Sequence, residues 1–216
     1  MPARKALPNK PRFDLVTNKA YDILIEMGFD RFPISPWAII EQGPKPVQCL
    51  KWSEARDLLK SDDPFHLRET GAEARTLKMR DTGVYLMIYD DLTITYEERI
   101  RWTIMHELGH VYCKHLDDFE ETALNRGGLD KNENHVLEVE AHFFASEMFV
   151  PTVIFGGRNR FNAGEIRLVC GISEEAAQKA HIRLRSHPII SLNLRALRLY
   201  RNFYSAMHHH VGKKLR

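Results

Sequence analysis

The sequence predicts an α+β fold, rich in helix and sparing in strand. Three observations lead there. Apolar residues three and four apart recur along most of the chain. Strand-like runs are few and short, the clearest being Val84–Tyr89 (Val-Tyr-Leu-Met-Ile-Tyr) between Thr82-Gly83 and Asp90-Asp91. From residue 158 onward the patterned stretches are all helical, which predicts a lead-in at 1–12, a mixed core over 13–157 and a basic helical part over 158–216.

Taken in order, residues 1–12 are rich in Pro, Lys and Arg and read as a loose lead-in. Leu15, Ala20, Ile23, Leu24 and Met27 share one face of a helix over 13–27, which Gly28 stops. Ser35-Pro36 opens a short second helix. Gly43 to Pro46 form a turn, Val47–Trp52 a strand, and Ser53 caps a helix that ends near Asp62-Asp63-Pro64. Residues 65–82 are polar and carry no clear pattern. A short β segment is expected over Leu92–Tyr96, then a long helix from Glu97 to about His115, with two acids in its first turn. A polar loop with Gly127-Gly128 is expected over 117–134, and a helix from Val136 to Val150 that ends at Pro151. Asn162 and Ser173 look like N-caps of two short helices separated at Cys170-Gly171, and Leu192–Met207 is a last amphipathic helix. His208-His209-His210 reads as a solvated tail.

The 216 residues are 44% hydrophobic and 28% charged, which suits a globular protein and excludes disorder. The three cysteines (Cys49, Cys113 and Cys170) are too few and too scattered for a disulfide framework. No apolar run approaches the ~18 residues of a membrane span, and the N-terminus lacks the apolar stretch of a signal peptide, so a cytoplasmic protein without membrane contact is expected. Charge is uneven. From residue 158 there are 12 Lys/Arg against 3 Asp/Glu, whereas the preceding residues hold 19 against 26. A basic end of this kind is either a solvated helical face or a surface for an acidic partner such as nucleic acid.

The chemistry concentrates in His106-Glu107-Leu108-Gly109-His110. On a helix, residues four apart lie about 40° apart on one face, so both imidazoles can reach a single metal ion. Glu107 is turned by about 100° and can take a proton from water at that ion. The surrounding helix is apolar (Ile100, Trp102, Ile104, Met105, Leu108, Val111), a costly place for two imidazoles and a carboxylate that serve no purpose. Gly109 costs ~1 kcal/mol in a helix interior relative to Ala and leaves room for another backbone to approach.

A catalytic zinc takes three protein ligands and keeps one position open. The segment Leu137-Glu138-Val139-Glu140-Ala141-His142-Phe143-Phe144-Ala145 offers the third. Ala141 and Ala145 fall within about 60° of Glu138 on a helix and favour close packing of that face. Glu140 and Glu147 fall about 200° and 180° away, on what reads as the solvated face. Glu138 is therefore preferred to Glu140. His142 is either an orienting partner for a ligand or a hydrogen-bonding residue at the helix contact. Cys113 reads as a small core residue, and Tyr96 and Tyr112 as packing residues. His115 is placed on the face opposite His106, and His135 at the surface. Residues 163–185 have helix-turn-helix spacing, but the second helix would begin Glu174-Glu175, which opposes phosphate at the end that would enter a groove.

The segment Arg101-Trp-Thr-Ile-Met-His-Glu-Leu-Gly-His110, followed by Glu138-Val-Glu-Ala-His-Phe-Phe-Ala145 and Pro151, resembles the ImmA/IrrE metallopeptidases. The likeness extends to the strand Val84–Tyr89 and to Gly171-Ile-Ser-Glu-Glu-Ala-Ala177. It departs at His142, where that family usually has Asn or Asp. The resemblance implies a zincin-like core with a small twisted sheet packed on the HExxH helix. It implies one Zn²⁺ on His106, His110 and Glu138, with Glu107 as general base. It further implies an endopeptidase whose substrate is a protein, typically a transcriptional repressor. In such folds an edge strand pairs with the extended substrate. Here Val84, Tyr85, Leu86, Met87, Ile88 and Tyr89 are the expected strand, unless it is a central one. The alternatives are a regulatory zinc-binding protein that cuts nothing by itself, or a DNA-binding one acting through 163–185.

Overall fold

The computed structural model describes residues 8–118, 131–156, 161–186 and 193–212. Most of the loop expected over 117–134, the first seven residues of the lead-in and the side chains of His208, His209 and His210 lie outside the described residues. The chain forms two compact units, Met1–Val16 with Pro36–Ala145 and Thr17–Ser35 with Ser146–Arg216. These do not coincide with the expected segments 13–157 and 158–216.

The first unit is α+β. It holds the start of α1 (Phe13–Glu26), then α2 (Pro36–Gln42), β1 (Val47–Lys51), α3 (Trp52–Leu59) and α4 (Leu67–Thr70). There follow β2 (Ala74–Lys78), β3 (Tyr85–Tyr89), α5 (Glu97–Tyr112), α6 (His115–Asp118) and most of α7 (Lys131–Phe149). The strands make one sheet in the order β1-β3-β2. β1 runs parallel to β3, with Cys49 opposite Met87, and β2 runs antiparallel to it, with Thr76 opposite Met87. Trp52, Ala55, Leu67 and Ile88 pack as a buried cluster beneath the helices that join β1 to β2. α5 packs against both β2 and β3.

Three local expectations are corrected. β2 lies in the stretch without a clear pattern, because Arg75 and Lys78 interrupt the apolar alternation and only Leu77 is strongly hydrophobic. Leu92–Tyr96 is not a strand. The Asp90 carboxylate accepts from Leu92 N, Thr93 N and Thr93 Oγ1, which winds the chain into a turn instead. The long helix stops at Tyr112. Lys114 takes a left-handed conformation (φ 63°), and α6 starts afresh at His115.

The second unit is helical. It comprises the rest of α1 and the end of α7, with α8 (Thr152–Phe155), α9 (Ala163–Cys170), α10 (Glu174–Ser186) and α11 (Leu194–Gly212). Phe32 packs its ring against Phe155 and Phe203, at 5.0 and 4.6 Å between centroids. Asn162 accepts from Glu165 N, and the Glu165 carboxylate accepts from Asn162 N, a capping box that starts α9. Glu147, expected on a solvated face, is 1% exposed. Arg183 ion-pairs with it, and Tyr21 Oη (3.1 Å) and Thr152 N (3.0 Å) donate to it.

Candidate metal centre

α5 buries its apolar side against the sheet, which turns His106, Glu107 and His110 towards a cleft of about 400 Å³. Its walls are Ala72 to Thr76 from β2 and its approach, Arg99, Trp102 and Thr103 from α5, Leu116, and Glu138 and His142 from α7. Gly109 brings the two helices together. A Cβ there would lie 2.9 Å from both Cα and O of Ala141, so only glycine permits this approach.

Close packing of α5 on α7 carries Glu138 to the two histidines. His106 Nε2 is 3.1 Å from Glu138 Oε2 and 3.3 Å from His110 Nε2, and His110 Nε2 is 3.5 Å from Glu138 Oε1. Ligands held tetrahedrally at ~2.0–2.1 Å from zinc stand about 3.3 Å apart. Two imidazole nitrogens and one carboxylate at this spacing form a donor set that fits such an ion. His106, His110 and Glu138 are the one group of three or more such donors converging among the described residues. Burial pushes the His110 pKa down to about 3, so its imidazole is neutral with a lone pair to offer. Burial opposes charge on His106 and Glu138 too. Their mutual hydrogen bond and the opposite charges around each together outweigh it, raising the His106 pKa and lowering that of Glu138 to about 2.

Glu107 stands beside this trio. Its Oε2 accepts from Thr76 Oγ1 at 2.8 Å, a bond across from β2. Burial raises the Glu107 pKa, with His106 and the Thr76 hydroxyl acting against that rise. A carboxylate so poised takes up a proton more readily than an exposed one.

The other expected site residues fall in different places. His142 lines the cleft, its ring edge-on to Trp102 (5.2 Å) and His106 (5.7 Å). The expected substrate strand is corrected: Tyr85–Tyr89 is the central strand, hydrogen-bonded on both sides, so an extended peptide cannot pair with it. Val84 precedes the strand. The edge beside the cleft is β2. Glu140 is not on a solvated face but wholly buried, and so is His115. His115 Nδ1 lies 3.0 Å from His110 Nδ1, and its Nε2 lies 3.0 Å from Glu140 Oε2. Cys113 is buried as expected, and the three cysteines form no disulfide. Tyr96 is 77% exposed, and neither it nor Tyr112 lines the cleft. The helix-turn-helix spacing is realised as α9 and α10 joined through Gly171 (φ 59°), with exposed Glu174 and Glu175 opening α10.

Residues 95–181, which span α5 and α7 and reach into α10, match the peptidase family model described as the IrrE N-terminal-like domain. This stretch of the chain is similar to that family. No curated protein matches the chain. The IrrE N-terminal-like segment contains all three converging donors and Glu107, while the sheet and Thr76 lie upstream of it. That similarity agrees with a metallopeptidase-like role. No helix among the described residues is long and apolar enough to cross a membrane.

Proposed function

We propose that the protein is a zinc-dependent endopeptidase with a zincin-like core. The observation that carries this reading is the convergence of His106, His110 and Glu138 at tetrahedral spacing, with the half-buried carboxylate of Glu107 alongside. Zinc held there would polarise the scissile carbonyl and acidify a water molecule. His106 and His110 offer Nε2 lone pairs to the ion, and Glu138 offers a charge that offsets its own. Glu107 takes the proton from the attacking water at its carboxylate and passes it to the leaving amine. Thr76 holds the Glu107 carboxylate in line through its hydroxyl.

The substrate enters as an extended strand along the outer edge of β2. Main-chain hydrogen bonds bind it there independently of sequence, and Trp102, His142 and Leu116 line the cleft around its side chains. The proposed substrate class is a regulatory protein with an accessible extended stretch. A transcriptional repressor is the case suggested by the ImmA/IrrE resemblance.

The test is a comparison of newly formed protein N-termini in cells that express the wild type and Glu107→Gln, with metal analysis of both purified proteins. Both should carry one zinc per chain, and a defined set of cleaved proteins should appear with the wild type alone. Identical N-termini from two zinc-loaded proteins would sink the peptidase reading and favour a zinc-binding regulator.

A further inference from the structure

We propose that a line of side chains running from His110 through buried His115 and Glu140 to half-buried Arg12 positions His110, fixing its ring so that Nε2 presents a lone pair to the cation. This rests on the zinc reading above, which places the ion against His110 Nε2.

The atoms line up without a gap. His110 Nε2 faces His106 Nε2 at 3.3 Å, and its Nδ1 points the other way, 3.0 Å from His115 Nδ1. His115 Nε2 is 3.0 Å from Glu140 Oε2. Arg12 then holds Glu140 by three bonds. Its backbone N (2.7 Å) and Nε (2.9 Å) donate to Oε1, and its Nη2 (2.7 Å) donates to Oε2. His115 and Glu140 have no solvent exposure, so water does not substitute for these partners.

Donor and acceptor roles propagate along the line. A carboxylate gripped by a guanidinium only accepts, so His115 must carry its proton on Nε2. His115 Nδ1 is then an acceptor, and His110 must supply the hydrogen from its own Nδ1. His110 Nε2 is left bare, the form that ligates a metal. Arg12 therefore specifies the state of a ring three residues away along the line, although 98 positions separate it from His110 in the sequence. The kink at Lys114 makes this possible by folding His115 back beneath His110. The end of the N-terminal lead-in is thus part of the metal centre's support.

Zinc affinity of the full chain, measured by competition with a chromophoric chelator, tests the line. The visible spectrum of the cobalt(II)-loaded protein serves as a second readout of ligand geometry. The wild type should bind one ion. His115→Phe, which keeps the ring's bulk and removes its nitrogens, should bind zinc about 10–100-fold more weakly. His115→Gln offers a carbonyl to His110 and an amide to Glu140 and should recover most of that loss. Arg12→Ala should weaken binding in the same sense and alter the cobalt spectrum. If His115→Phe fails to fold, Arg12→Ala decides alone, since the Arg12 side chain is 31% exposed and its truncation leaves no large cavity. Wild-type affinity and spectrum in a folded His115→Phe, or in Arg12→Ala, would overturn the positioning role while the zinc reading stands. A wild type that binds no zinc would fail at the earlier step and remove both.

Discussion

Thr76 Oγ1 donates to Glu107 Oε2 over 2.8 Å, joining an edge strand to the helix that carries His106 and His110. The bond keeps the proposed base in one rotamer, beside the donors and not among them. Thr76→Val preserves the shape and removes the hydroxyl. Turnover of a cleaved protein should fall about tenfold, less than the 10²–10⁴-fold that a general base contributes, with zinc content unchanged. Thr76→Ser should restore most of it. Loss of zinc in Thr76→Val would show that the hydroxyl supports the fold of the site instead.

Zinc should stabilise the protein through the native state alone. At a free concentration 100 times the dissociation constant, binding adds about 2.7 kcal/mol. A thermal melt should therefore move up with zinc and down with chelator, and His106→Ala should abolish the response. An unchanged melting temperature across that series would count against a native-state site.

Gly109 is held against Ala141 with no room for a side chain. Gly109→Ala gains ~1 kcal/mol of helix propensity yet forces apart two backbones in the first unit. The net result should be a destabilisation of about 1–3 kcal/mol, the usual cost of overpacking, read from urea unfolding. Zinc affinity should fall too, because the same contact carries Glu138 to the histidines.

Asp90, which is not one of the converging donors, gives a pH dependence of its own. Burial raises its pKa, but the Thr93 hydroxyl, the amides of Leu92 and Thr93, and Arg68 together lower it below the ordinary value of 3.8. The folded pKa lies under the unfolded one, so the stabilisation is complete above about pH 4 and is lost as acid protonates the folded carboxyl. Asp90→Asn should unfold more easily at neutral pH and lose part of the acid-induced drop. Melts from pH 7 to 3 in the presence of chelator measure both. Parallel curves for the two proteins would contradict the assignment.

What the sequence by itself determined is what a single helix determines. His106, Glu107 and His110 sit within one turn and a fraction of α5, so their relative placement follows from helical geometry. Gly109 with Ala141, and Glu138 as the carboxylate on the alanine face, were legible because small side chains mark where helices approach. The α+β class and the caps at Asn162 and Gly171 were local in the same way.

The tertiary structure alone decided the rest. A helical wheel judges a face by its own residues, so Glu140 read as solvated. It is buried because Arg12, 128 positions away, closes over it. His115 was set opposite His106 on the assumption of an unbroken helix, and the left-handed residue Lys114 broke that assumption. β3 was the strongest strand in the sequence because it is central and apolar on both faces. β2 was the hardest to see because an edge strand lining a polar cleft keeps Arg75, Thr76 and Lys78. Strand order and long-range ion pairs depend on which distant segments meet, and no periodicity in the sequence records that.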